Sequence, residues 1–159
     1  MIDANNLSQV LEILGFTKQG QVWTKKFIGL NCSMSVDFKN RRLIYPDDLL
    51  GRERNAGFDK KENFVVFECV CRLLDKGYRP KDIELEREWH LGHDPKSGRD
   101  DICVSNPDGT LLFIIECKTY GKEYDNALKD TKNDGGQLFS YWQQEGSTKW
   151  LMIIWRNPL

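Results

Sequence analysis

The segment Leu111-Leu-Phe-Ile-Ile-Glu-Cys-Lys118 constrains this chain more than any other, because five consecutive apolar residues run directly into an acid and a base. An apolar run of this length reads as a buried strand. Side chains alternate across a strand, so Glu116 and Lys118 share a face with Leu112 and Ile114. Two charges at the end of a buried strand cost several kcal/mol unless they are paired or bind an ion. Upstream lies Gly98-Arg-Asp-Asp-Ile-Cys-Val104, and the intervening Asn106-Pro-Asp-Gly109 has the composition of a hairpin turn. A hairpin there brings Asp101 close to Glu116, which predicts two acids and a lysine in one place.

The rest of the chain divides around this hairpin. Leu7, Val10, Leu11 and Leu14 repeat at helical spacing, and Gly15 stops the helix. Cys32, Met34, Val36 and Phe38 alternate with polar residues, the period of a half-buried antiparallel strand. Residues 21–27 and 42–45 are expected to pair on either side of it, giving a small helix-plus-three-strand unit over residues 1–46. Residues 47–58, with Gly51, Gly57 and mixed charges, read as a linker. A second unit over 59–159 opens on Asp59-Lys-Lys-Glu62, a capping box, and a helix to about Asp75 with Phe64, Phe67, Val70, Leu73 and Leu74 inward. A strand is expected over Ile83–Trp89, and strands over 101–104 and 111–117 continue the sheet. A helix from about Gln137 to Gln144 then leads to Trp150-Leu-Met-Ile-Ile-Trp155, whose unbroken apolar character predicts a central, doubly covered strand parallel to the Leu111 strand. The fold class is α/β in the α+β sense, with a mixed central sheet flanked by helices.

The acid on one strand and the Glu-x-Lys on the next resemble the signature of the PD-(D/E)xK nuclease superfamily. Gly135-Gly-Gln-Leu-Phe-Ser-Tyr141 is similar to the Gln-x-x-x-Tyr element of the nuclease domains in type I restriction enzyme R subunits and related restriction-modification fusions. The helix carrying Glu62 resembles the acid-bearing first helix of those domains, and Arg99 to Ile102 has the Arg-x-Asp-Ile form often found there. Asp101 departs from the nominal motif in lacking a preceding Pro; the literal Pro-Asp pairs, Pro46-Asp47 and Pro107-Asp108, fall in the linker and the turn. The resemblance covers roughly residues 59 to 155. It implies a restriction-endonuclease-like core and a Mg²⁺-dependent DNA endonuclease acting on double-stranded DNA, with Mn²⁺ able to substitute. It also implies methyltransferase, translocase or specificity modules in the same or a partner chain. Two alternatives stand beside it: a catalytically silent nuclease fold that binds DNA or a partner, and a structure-specific repair nuclease.

Phosphodiester hydrolysis needs an activated water and a counter-charge for the transition state, and a carboxylate-held Mg²⁺ supplies both. Mg²⁺ takes oxygen ligands at about 2.1 Å and keeps several waters. Asp101 and Glu116 are the expected direct ligands, with the Cys117 backbone carbonyl as a third and Glu62 completing the shell or binding a second ion. Lys118 can orient or deprotonate the water, or offset transition-state charge. Gln137 and Tyr141, at i and i+4, are expected to steer substrate phosphates or Lys118. Simpler readings exist for each: Glu62 as the partner of the Asp59 cap, Asp101 and Lys118 as a cross-strand ion pair, and Gln137 and Tyr141 as a surface pair. His90 and His93 have ligand spacing but sit in an expected loop without supporting cysteines.

Composition narrows the setting. A net charge of −1 argues against binding nucleic acid by bulk charge, so DNA contact needs a local basic surface. Lys25 with Lys26, Arg41 with Arg42, Arg52 with Arg54, and Lys118 with Lys122 are the candidates. Five cysteines without a Cys-x-x-Cys pair favour neither a disulfide framework nor a zinc site. No apolar run is long enough for a bilayer, and the first residues lack the basic and apolar regions of a signal peptide, so the chain is expected to be cytoplasmic with no membrane partner.

Overall fold

The computed structural model describes residues 2–90, 97–134 and 148–156. Helix α1, Leu7–Ile13, buries Leu7, Val10 and Leu11. It ends as its sequence requires: Gly15 takes φ +81°, its N–H bonds the Glu12 carbonyl, and the Phe16 N–H bonds that of Leu11. Strands β1 (Thr17–Gln19), β2 (Val22–Phe27), β3 (Cys32–Asp37) and β4 (Arg42–Ile44) follow as an antiparallel sheet in that order. The expected three-strand pairing is present, with Trp23, Val36 and Leu43 side by side and buried, and the short exposed β1 adds an edge.

Residues 47–58 are packed, contrary to the expected linker. Leu49, Asn55 and Ala56 are buried, the Leu43 N–H donates to the Ala56 carbonyl, and Leu50 bridges to Glu84. The mixed composition concealed this because the segment is held by backbone pairing and a few apolar anchors. Helix α2, Lys61–Asp75, then crosses the centre of the molecule, burying residues on nearly all sides. Phe67 stands 5.8 Å from the Phe16 ring and 5.3 Å from Tyr45, and Phe64 stands 5.1 Å from Phe58. The expected capping box does not form: no side chain caps this helix, and Glu62 turns to Lys118.

Beyond α2, strands β5 (Ile83–Leu85), β6 (Glu88–His90), β7 (Ser97–Arg99), β8 (Ile102–Ser105) and β9 (Leu111–Thr119) precede helix α3 (Lys122–Asp134) and strand β10 (Trp150–Arg156). The larger sheet runs β10-β9-β8-β5, with β10 parallel to β9 and the other pairs antiparallel; β6 and β7 form a separate ribbon. The Asn106–Gly109 turn is as expected, with Gly109 at φ +86°. Ile83–Trp89 is not one strand, because Glu86 takes φ +49° and turns β6 out of the sheet. Nor is β10 central: among the described residues it is an edge strand, with Trp150 65% exposed, and β9 occupies the buried interior position. The helix expected over Gln137–Gln144 lies outside the described residues.

One apolar core runs from Leu7 and Leu11 through Phe67 and Val70 to Ile115 and Cys117, and a smaller one of Trp89, Cys103, Leu111 and Ile114 lies on the larger sheet. The fold is mixed α+β, with three α-helices among the described residues.

Candidate functional site

The β8–β9 register sets Ile102 against Ile115, which places Asp101 and Glu116 at the same level of the sheet. Asp101 Oδ2 accepts the Cys117 backbone N–H at 2.6 Å. Glu116 is buried; its Oε1 accepts from Lys118 Nζ at 2.6 Å, whereas its Oε2 is buried without a hydrogen-bond partner. Strand alternation places these two side chains on one side of β9 and so makes their contact possible. Glu62, in the first turn of α2, brings its Oε1 to 3.5 Å from the same ammonium. Asp101, Glu116, Lys118 and Glu62 are thus brought together from the β8–β9 hairpin and the start of α2.

Their electrostatics follow from burial and from an excess of acid. Burial holds the Asp101 carboxyl well above the ordinary aspartate value, and the charges of Glu116 and Glu62 push the same way against Lys118 and the Cys117 N–H. Burial likewise raises Glu116, opposed by Lys118. For Lys118 burial works against the charge, yet Glu116, Asp101 and Glu62 outweigh it and hold the ammonium above the ordinary lysine value. Three carboxylates around one ammonium leave negative charge that a proton or a bound cation relieves.

Asp100 escaped the sequence reading. It is 1% exposed, accepts hydrogen bonds from Trp89 Nε1 and Cys103 Sγ at 2.7 Å each, and keeps a buried Oδ1 without a partner. Burial pushes its carboxyl up to about 6, against the Cys103 and Trp89 hydrogen bonds. It ties β6 to β8 directly beside Asp101; the doubled Asp100-Asp101 was the available signal. His90 lies in β6, not in a loop. His93, Gln137 and Tyr141 lie outside the described residues. Asp47 is fully solvated, and Asp108 serves its turn by accepting from Thr110.

Among the described residues no group of three or more His, Cys, Asp or Glu side chains stands ready as a metal cage. Mg²⁺ asks for less, being held by one or two carboxylates together with water. The unpartnered Glu116 Oε2, the neighbouring Asp101 carboxylate and the surplus negative charge fit such a hard cation. No helix among the described residues is long and apolar enough to cross a membrane. No protein-family model matches the chain, and neither does any curated protein.

Proposed function

We propose that this chain is a Mg²⁺-dependent DNA endonuclease domain of restriction type, built on a restriction-endonuclease-like core of α2, the β8–β9 hairpin and the parallel β10. The observation that carries the reading is Glu116: a buried carboxylate with one oxygen on Lys118 and the other unpartnered, beside Asp101, which immediately precedes β8. A structural ion pair does not require a further acid, whereas metal-assisted phosphodiester hydrolysis uses one or two carboxylates to hold its ion. Asp101, Glu116 and the Cys117 carbonyl would hold Mg²⁺, with Glu62 completing the set, and the ion would supply an activated water and a counter-charge for the phosphorane. Lys118, an ammonium already donating to Glu116, is suited to orient that water or the scissile phosphate by donation. The substrate is double-stranded DNA, and methyltransferase, translocase or specificity modules in the same or a partner chain would supply further affinity.

The test is a nicking assay on supercoiled DNA with and without Mg²⁺ or Mn²⁺. Cleavage that needs metal and falls by about a hundredfold or more in Asp101→Asn, Glu116→Gln and Lys118→Ala is expected. Metal binding without cleavage by the wild type would favour the silent binding module instead, and a preference for branched substrates over plain duplex would favour the repair nuclease.

A further inference from the structure

The carboxylates that suit a cation repel a polyanion. Asp101, Glu116 and Glu62 concentrate negative charge, and the whole chain carries −1, so a DNA backbone needs a local cationic seat next to them. At the corner between β5 and β6 two arginines meet, paired there with Glu86 and Glu88, so the seat becomes cationic only when a carboxylate gives way. Glu86, left-handed at φ +49°, donates its N–H to the Asp101 carbonyl at 3.2 Å and accepts from Arg54 Nη1 at its own carbonyl at 2.5 Å. The other guanidinium nitrogen of Arg54 lies 3.7 Å from Glu88 Oε1. Arg99 Nη2 donates to that same oxygen at 2.9 Å, and Arg99 Nη1 lies 3.6 Å from Glu86 Oε2. Two guanidinium groups from separate segments therefore converge on a single anionic oxygen, and Arg54 is two hydrogen bonds away from the Asp101 backbone.

That oxygen is poorly held. The side chains of Arg54, Glu88 and Arg99 are 43%, 43% and 53% exposed, and exposed pairs of this kind contribute little to stability and are screened by salt. A phosphate offers the same acceptor with more charge, and the planar arginine fork matches it. The backbone strain at Glu86 also has a use here, since a strained corner is kept where it aims side chains at a site.

The geometry points to Arg54 and Arg99 as the seat for a backbone phosphate of duplex DNA, with the Glu88 carboxylate occupying that seat until DNA displaces it. The choice of DNA as the anion rests on the nuclease reading above. Glu88 is then a competitor of the substrate, which gives the proposal a signed test.

The experiment measures binding of a fluorescently labelled duplex by anisotropy, with the full chain in metal-free buffer, across a salt series. Arg54→Ala and Arg99→Ala should each weaken binding, by about threefold more at 50 mM than at 200 mM salt, and each should reduce the salt slope by about 1. Arg54→Lys and Arg99→Lys should keep most of that slope. Glu88→Gln should tighten binding by about two- to fivefold, the release of an exposed ion pair. If the arginine pairs served only to hold the corner, Glu88→Gln would leave binding unchanged or weaken it. That outcome, arginine variants that bind like the wild type, or no binding by the wild type at low salt, overturns the seat. Thermal melts check that each variant folds, and Glu88→Gln keeps the sign test if an arginine variant does not. Arginine-dependent binding without metal-dependent cleavage would sink the nuclease reading and leave the seat, whereas cleavage with binding indifferent to both arginines would do the reverse.

Discussion

Lys118 is held by carboxylates from two elements, Glu116 on β9 and Glu62 on α2, and its removal separates structure from chemistry. Without it the buried Glu116 carboxylate loses the hydrogen bond from Lys118, the one it accepts among the described residues, and three acids face one another uncompensated. Lys118→Ala should therefore lower stability by about 1–3 kcal/mol in metal-free buffer. Added Mg²⁺ should restore much of that loss, since a ligand bound only by the native state stabilises it. Thermal melts with and without Mg²⁺ read both effects; a variant that Mg²⁺ leaves unmoved would show that the acids do not bind the ion. Glu86 is the second residue where local chemistry overrides the sequence. A non-glycine residue in the left-handed region costs about 1–2 kcal/mol, so Glu86→Gly should be more stable than Glu86→Ala by about 1 kcal/mol. Both variants lose the contact with Arg99, so the difference in their denaturation midpoints isolates the backbone term. Equal stability would mean the corner is unstrained.

At the scale of elements, periodicity places α1, β3 and β9 where expected, whereas the alternation over Ile83–Trp89 is overridden by contacts at a distance. The alternation in β3 and the apolar run in β9 each follow from one strand's own burial, and the Asn106–Gly109 turn from its own residues. The acids and the lysine of the site were legible for the same reason, since a hairpin and a two-residue alternation suffice to bring them together. The break in Ile83–Trp89 was not, because the groups that hold it, Arg54 and the Asp101 carbonyl, lie far away in sequence. Helix α3 was missed because only Tyr124, Ala127 and Leu128 of its first turns are half-buried, an i, i+3, i+4 stripe too thin to stand out among charged neighbours. Residues 47–58 carry the clearest test of an element misjudged from composition. Gly51 has φ +72°, and a Cβ built there would stand 2.2 Å from the Leu85 carbonyl oxygen. Gly51→Ala should then cost more than the roughly 1 kcal/mol of an ordinary left-handed alanine, because backbone must move as well. A chemical denaturation curve indistinguishable from wild type would show that this segment is the loose linker its composition suggests.

The whole molecule is tied together by α2, which is buried along most of its length and leaves chiefly Lys61, Arg72 and Asp75 to solvent. Phe67 touches Phe16 and Tyr45 from the N-terminal part, while the same helix carries Cys69 and Val70 in a core shared with Ile115 and Cys117. The carboxylate of Glu62 is placed by the same helix, so the position of the site depends on packing that residues 1–58 help to make. Two outcomes follow from this sharing. Phe67→Ala should destabilise the full chain by about 3–5 kcal/mol, the cost of removing a buried aromatic ring from a packed core. A fragment of residues 59–159 should fail to unfold cooperatively, because removing the first 58 residues exposes the α2 face that Phe16, Tyr45 and Phe58 cover. Near-ultraviolet circular dichroism and a thermal melt of the fragment decide the matter: a sharp transition with native-like aromatic signals would mean that the C-terminal part folds alone. Their absence would make the N-terminal sheet part of the scaffold that holds Glu62 against Lys118.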